Sequence, residues 1–275
     1  ARGRLDLAVH PFCSGSGNDV RITTRVVEKD PFNCLYSTIH EVGHACYEQG
    51  IDQAYLLTPL GQGASMGVHE SQSRMFENQL ARSGAFAGWL FGRMRAVFGE
   101  IGVDTPEAFH AAVNRVNRGY IRTEADEVQY NLHIMLRFDL ERALISGQLA
   151  VGDLQAAWDA RFLNDFGYAV DRPSNGVLQD VHWSCGLFGY FPTYTLGNLY
   201  AGCLNQAMRA DLPDLDAHLS RGDGRPAALW LRERLQRRGS LRAPRQTVTA
   251  ACGFEPSAEP LLSALEAKFS ALYRL

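Results

Sequence analysis

"STIHEVGHACYEQG", residues 37–50, carries two histidines four residues apart, with a glutamate directly after the first. In an α-helix each residue turns about 100° and rises about 1.5 Å, so His40 and His44 lie about 40° apart and about 6 Å along the axis. Two imidazoles so placed can converge on one cation. Glu41 stands on the shoulder of the same face, where it can reach a water at that cation but cannot easily be a third ligand. The flanks make the stretch helical: Asp30 before Pro31 reads as an N-cap and first turn, and Gly50 as a C-terminal stop, giving one helix of about five turns. With eight histidines and fourteen glutamates in 275 residues, chance supplies an H-E-x-x-H match only about 0.01 times, which disfavours a packed helix with idle histidines.

A catalytic zinc site takes three protein ligands and keeps one position open. The position six residues beyond His44, where one class of zinc peptidases carries a third histidine, is Gly50. Glu48 lies about 12 Å from His40 along the axis, too far to share an ion with it. The third ligand therefore comes from another element. Glu70, in "GVHESQSR", is the candidate, at the start of a second helix packed antiparallel to the first; His69 and Glu77 are the fallbacks.

Composition sets the outer bounds. At 46% hydrophobic and 21% charged residues, the chain reads as an ordinary globular protein with a large core. A net charge of -3 argues against a nucleic acid or a membrane surface as partner, and no apolar run approaches the roughly 18 residues of a spanning helix. The start lacks a signal-peptide pattern. Six cysteines (13, 34, 46, 185, 203, 252) without C-x-x-C spacing suggest free thiols and a cytoplasmic location. No linker or repeat divides the sequence, so residues 1–275 are expected to form a single catalytic domain.

Residues 19–27 alternate as a strand, with Val20, Ile22, Thr24 and Val26 on one face and Asp19, Arg21, Thr23 and Arg25 on the other. Helices are predicted near 65–82, 85–98, 105–118, 121–146, 153–165, 196–210, 226–238 and 258–273, with a long ordered loop over 167–195. On the 121–146 helix, Arg122, Asp126, Gln129, His133 and Arg137 form a polar stripe that reads as a solvent face. Arg122 stands out at its start, where a guanidinium can clamp a carboxylate. The loop offers His182, Tyr190 and Tyr194 as hydrogen-bond donors to a developing oxyanion.

Six motifs stand in order between residues 10 and 183: "HPF" (10–12), "DVRIT" (19–23), "HEVGH" (40–44), "HESQ" (69–72), "IRTEAD" (121–126) and "GVLQDVHW" (176–183). The chain resembles the M32, or thermostable carboxypeptidase Taq-like, metallocarboxypeptidases, as a short form that begins just before the first motif and lacks the family's N-terminal region. The resemblance implies a mainly α, gluzincin-type fold with a small antiparallel β-sheet beside an active-site groove. It implies release of single C-terminal amino acids from peptides, with broad specificity. It also implies zinc, replaceable by cobalt, on His40, His44 and Glu70, with Glu41 as base and general acid. Arg122 would bind the substrate's free terminal carboxylate, and His182 with Tyr190 or Tyr194 would stabilise the transition state. Asp19, Arg21 and Thr23 would line the groove's closed end, and the protein would be a homodimer. An endo-acting zinc oligopeptidase and a non-catalytic zinc-stabilised dimerisation module are the alternatives.

Overall fold

A computed structural model describes residues 2–275, which divide into two compact units. One comprises the chain up to Val113 together with Leu196–Leu275; the other is Asn114–Thr195.

The first unit opens with three strands, β1 (Gly3–Leu7), β2 (Cys13–Ser16) and β3 (Asp19–Thr24), in the order β1-β3-β2. β2 and β3 form an antiparallel hairpin around Gly17 and Asn18, with Gly17 at φ +46° in the position where a two-residue turn needs left-handed backbone. The fully antiparallel sheet expected from the resemblance is corrected to a mixed one, because β1 pairs parallel to β3. The chain reverses between β1 and β2 and again at the hairpin, and two reversals restore the direction of β1 on the far edge of β3. β3 also stops at Thr24, short of residue 27. There the strand is tied to the first helix, where Thr38 Oγ1 donates to Thr24 Oγ1 at 2.9 Å.

That helix, α1 (Pro31–Gly50), starts where the sequence predicts, with Asp30 accepting from Asn33 N at 3.1 Å. Gly50 is the last residue of α1 but not a left-handed cap; glycine is needed there because a Cβ would stand 2.5 Å from Gln236 Oε1. α2 (Met66–Arg74) is capped by Ser65, which accepts from Val68 N at 3.1 Å, and widens into a π-helix over Met75–Ala81. α3 (Gly84–Phe98) and α4 (Pro106–Val113) pack through Phe91 and Phe109.

In the second unit the predicted 121–146 helix is broken. A short 3-10 turn, Arg122–Glu124, precedes α5 (Tyr130–Ile145). Between them Asp126 Oδ1 accepts from Val128 N and Gln129 N at 3.0 and 2.9 Å, a local side-chain turn that competes with helical pairing. α6 (Leu154–Phe166) packs its Trp158 and Phe162 against Leu136 and Leu140 of α5. The long loop holds two short 3-10 turns and gives way to α7 (Pro192–Asp211), earlier than the predicted start at 196.

The unit boundary falls within α7, after Thr195. Back in the first unit follow α8 (Leu215–Leu219), α9 (Arg225–Arg234), α10 (Pro244–Cys252) and α11 (Glu259–Tyr273). Tyr47, Val68, Met75, Leu204, Met208, Leu231 and Val248 form this unit's main core, so α1, α2, α7, α9 and α10 share one apolar centre. All six cysteines are free thiols. Among the described residues no helix is long and apolar enough to cross a membrane.

Gly43 sits where α1 meets α2, and a Cβ on it would come to 2.5 Å from Gln72 O and Ser73 Cα. Alanine gains about 1 kcal/mol over glycine in a helix interior, whereas overpacking against immovable backbone costs about 1–3 kcal/mol. Gly43→Ala is therefore expected to lower the urea midpoint of unfolding. A raised midpoint would show that the two helices are free to separate.

Candidate metal centre

His40 and His44 rise from adjacent turns of α1, and Glu70 meets them from α2. His40 Nε2 and His44 Nε2 lie 3.6 and 3.4 Å from Glu70 Oε2. One ligand atom from each of the three residues falls within 4.8 Å of the others. Four ligands about 2.0–2.1 Å from a tetrahedral cation stand about 3.3 Å apart, so both distances are those of a coordination edge. Two imidazole nitrogens and one carboxylate oxygen are also a donor set zinc favours. The residues fit a divalent cation.

The other atoms of these side chains are engaged. His40 Nδ1 lies 2.9 Å from Glu77 Oε2, and His44 Nδ1 lies 2.6 Å from His69 Nδ1. Arg74 Nε donates to Glu70 Oε1 at 2.8 Å, leaving Oε2 turned to the histidines, and Arg74 Nη1 donates to Glu77 Oε2 at 3.3 Å. Glu70 lies one α-helical turn before Arg74, and Glu77 lies three residues after it in the π-helical turn, so a single arginine restrains both carboxylates. Burial opposes ionisation of Glu70, yet Arg74 and His40 outweigh it and hold its pKa well below the usual carboxylate value. Burial likewise opposes a charged His40, but Glu70 and Glu77 lift its pKa to about 10, the mark of a pocket that favours positive charge.

Glu41 is 6% exposed, and its Oε2 has no hydrogen-bond partner among the described residues. Burial, with Glu70 and Glu77 nearby, pushes its pKa up to about 7. A carboxylate kept buried with a free oxygen is an expensive feature unless something polar is meant to meet it. Behind Glu70 stands Gly197 of α7, where any Cβ would collide with the Glu70 side chain.

Two of the three strand candidates pair with each other. Arg21 Nη2 donates to Asp19 Oδ2 at 2.8 Å on the exposed face of β3. Thr23 is buried, accepting from Phe12 N at 2.9 Å and donating to His10 O at 3.1 Å, which closes the connection between β1 and β2.

The second unit gathers the remaining candidates. Arg122 is 5% exposed; its Nη2 and Nε donate to Asp180 Oδ1 at 2.7 and 3.1 Å, and its Nη1 to Tyr130 Oη at 3.1 Å. Arg137, fully buried, donates from Nε to Asp180 Oδ2 at 2.7 Å. Two guanidiniums thus share one carboxylate. His182 Nε2 lies 3.0 Å from Tyr194 Oη, and the Tyr190 ring stands 5.6 Å from both His182 and Tyr194. The Arg122 guanidinium lies over the Tyr194 ring at 4.7 Å. Burial is the main cause that lowers the His182 pKa, so the ring is neutral at neutral pH.

The polar stripe of residues 122–137 is corrected by these contacts: it is no solvent face. His133 is fully buried against Phe166, and Arg137 against Trp158. The partner that makes this burial possible, Asp180, lies 43 residues further on, where helical periodicity cannot announce it. The adjacent pair Gln179–Asp180 was a usable signal, since Gln179 Oε1 accepts from Arg122 N at 2.8 Å and joins the two motifs. Sequence spacing also named His69 and Glu77 only as spare ligands. Both instead hold the far nitrogens of the histidines, and nothing in the spacing singles out Arg74.

The family model described as carboxypeptidase Taq (M32) metallopeptidase matches residues 1–269. The chain belongs to the M32 metallopeptidase family. The M32 chain is 49% identical over 273 residues to thermostable carboxypeptidase 1 of Thermus thermophilus, covering 98% of itself and 53% of that protein. It is 42% identical over 278 residues to carboxypeptidase 1 of Bacillus subtilis, covering 99% of itself and 55% of that protein. The crystal structure of an M32 carboxypeptidase from Deinococcus radiodurans superposes with a TM-score of 0.97 at 47% identity, over all of the chain and 56% of that one. The chain therefore spans about half the length of the relatives it matches.

Removing Asp180 leaves two buried guanidiniums without their carboxylate, which costs about 3–5 kcal/mol in comparable sites. Asp180→Ala should lose that much in denaturant unfolding. Burial alone would raise the Asp180 pKa, but Arg137 and Arg122 hold it below the ordinary value. Its contribution is thus present above the unfolded pKa of about 3.9 and is lost as pH falls through the folded value. Asp180→Asn should accordingly flatten the acid limb of the stability profile; an unchanged limb would show that Asp180 is not ionised between the arginines.

Proposed function

We propose that the protein is a zinc-dependent carboxypeptidase that releases single amino acids, with broad specificity, from the free C-termini of peptides. The observation that carries the metal-dependent part is the convergence of His40, His44 and Glu70 beside the unpartnered carboxylate oxygen of Glu41. The exopeptidase part rests on the family and on the surplus positive charge around Asp180. His40, His44 and Glu70 would hold a zinc ion, with cobalt as a substitute, and the bound ion would supply Lewis-acid polarisation of a carbonyl oxygen and a more acidic water.

Glu41 takes the proton of the attacking water with its free oxygen and delivers it to the leaving amine. Arg122 is assigned to the substrate's terminal carboxylate. Its Nε edge is committed to Asp180, but the Nη1–Nη2 edge of a guanidinium retains hydrogens for a second anion. His182, with Tyr190 or Tyr194, is assigned to the oxyanion, and Asp19 and Arg21 with Thr23 to the end of the groove beyond the leaving residue. The same resemblance supports a homodimer located in the cytoplasm.

Glu41→Gln keeps the side-chain shape and the ligand set, so bound zinc should stay stoichiometric while kcat falls about 10²–10⁴-fold, the usual contribution of a general base. Digestion of a peptide of known sequence, read by mass, should give a ladder shortened from the C-terminus that a chelator abolishes. Internal cuts, or equal cleavage of a C-terminally amidated peptide, would refute the assignment of Arg122 and favour an endopeptidase.

A further inference from the structure

The two histidine ligands are braced differently. His40 Nδ1 meets a carboxylate directly, Glu77 Oε2 at 2.9 Å. His44 Nδ1 meets another imidazole, His69 Nδ1 at 2.6 Å, and only beyond that ring is there a carboxylate, with His69 Nε2 lying 2.9 Å from Glu48 Oε1. Glu48 stands four residues after His44 on α1, so the chain of hydrogen bonds leaves α1, crosses a ring on α2 and returns one turn further along.

Each link fixes the next. A carboxylate only accepts, so His69 carries its hydrogen on Nε2, and in the neutral ring Nδ1 is then a bare acceptor. Two bare nitrogens 2.6 Å apart would repel, so His44 carries its hydrogen on Nδ1. Its Nε2, which faces Glu70 Oε2 at 3.4 Å, is left with the lone pair a cation requires. The His69 ring has little freedom to break the chain. Tyr47 packs against it with ring centroids 5.1 Å apart, and a Cβ at Gly63 would stand 2.9 Å from its Cδ2. Tyr47 is pinned in turn, its hydroxyl accepting from Ala64 N at 3.0 Å.

We propose that Glu48 and His69 form an outer relay that sets the tautomer of His44, making His69 a positioning residue for the metal and Glu48 its remote anchor. This rests on reading His40, His44 and Glu70 as the ligands. Glu48, too distant along α1 to ligate together with His40, thereby acts on the cation through two hydrogen bonds. Outer partners of ligating histidines typically carry 10–100-fold in metal affinity.

The test is zinc affinity, measured on the full chain by competition with a chelating dye, with ring-nitrogen NMR as a second readout. His69→Leu should weaken zinc binding about 10–100-fold. His69→Asn should recover much of the loss, because its amide oxygen can accept from His44 Nδ1. Glu48→Gln should weaken zinc in the wild-type background but have no effect in the His69→Asn background, where the link to position 48 is already cut. NMR of the zinc-loaded protein should show His69 protonated on Nε2 and His44 on Nδ1. Wild-type affinity in His69→Leu, an equal cost of Glu48→Gln in both backgrounds, or a His69 hydrogen on Nδ1 would overturn the relay. If His69→Leu does not fold, the Glu48→Gln pair decides alone. His44→Ala separates the two levels: zinc lost there but kept in the relay variants removes only the relay, whereas zinc kept in His44→Ala removes the ligand assignment itself.

Discussion

The close approach of α1 to α2 at Gly43 is the constraint on which the metal centre depends. Only with no side chain at that position do the helices come near enough for the Glu70 carboxylate to reach both imidazoles, and Gly197 of α7 leaves the matching space behind Glu70. The result is three carboxylates, Glu41, Glu70 and Glu77, gathered in a poorly solvated place. Burying each ion costs several kcal/mol unless it is paired. Arg74 pairs with Glu70 and Glu77, and Arg82 reaches Glu77 at 3.5 Å, which leaves Glu41 as the carboxylate without an arginine. A site of this kind is less a rigid cage than an electrostatic deficit held in shape by helix packing.

The second unit shows the opposite imbalance. Arg122 and Arg137 converge on Asp180 alone, and both are desolvated. Burial and the neighbouring Arg122 pull the Arg137 pKa down to about 10, still well above neutral pH, so both guanidiniums stay charged. Glu141, itself buried, accepts from Trp183 Nε1 at 2.7 Å and Gly189 N at 3.0 Å, stapling the loop that carries His182 and Tyr190. The oxyanion role proposed for His182 requires donors held rigidly in this way before substrate arrives.

The metal-centre residues were legible in the sequence because their geometry is local. His40, Glu41 and His44 follow from the helix repeat, and the caps Asp30 and Ser65 mark where α1 and α2 begin. Glu70 needed only the inference that a second helix packs on the first. The strands β1 and β2 were not legible: "CSGS" has neither alternation nor apolar bulk, and β1 is specified by its register on β3. The break before α5 was hidden because Asp126 looks like a helix residue until its carboxylate is seen to capture two backbone amides. Arg137 and His133 were misread as exposed because the residues that bury them come from distant parts of the chain. Glu48 lies too far along α1 to share an ion with His40, and spacing along one helix does not announce its contact with His69 on α2.

Two α1 imidazoles and one α2 carboxylate are the proposed holders of the metal. X-ray absorption at the zinc edge of the loaded protein tests this assignment directly. The expected spectrum has a first shell of nitrogen and oxygen at about 2.0–2.1 Å, with the outer-ring scattering of two imidazoles. A sulfur shell at about 2.3 Å, or scattering from fewer than two imidazoles, would contradict it.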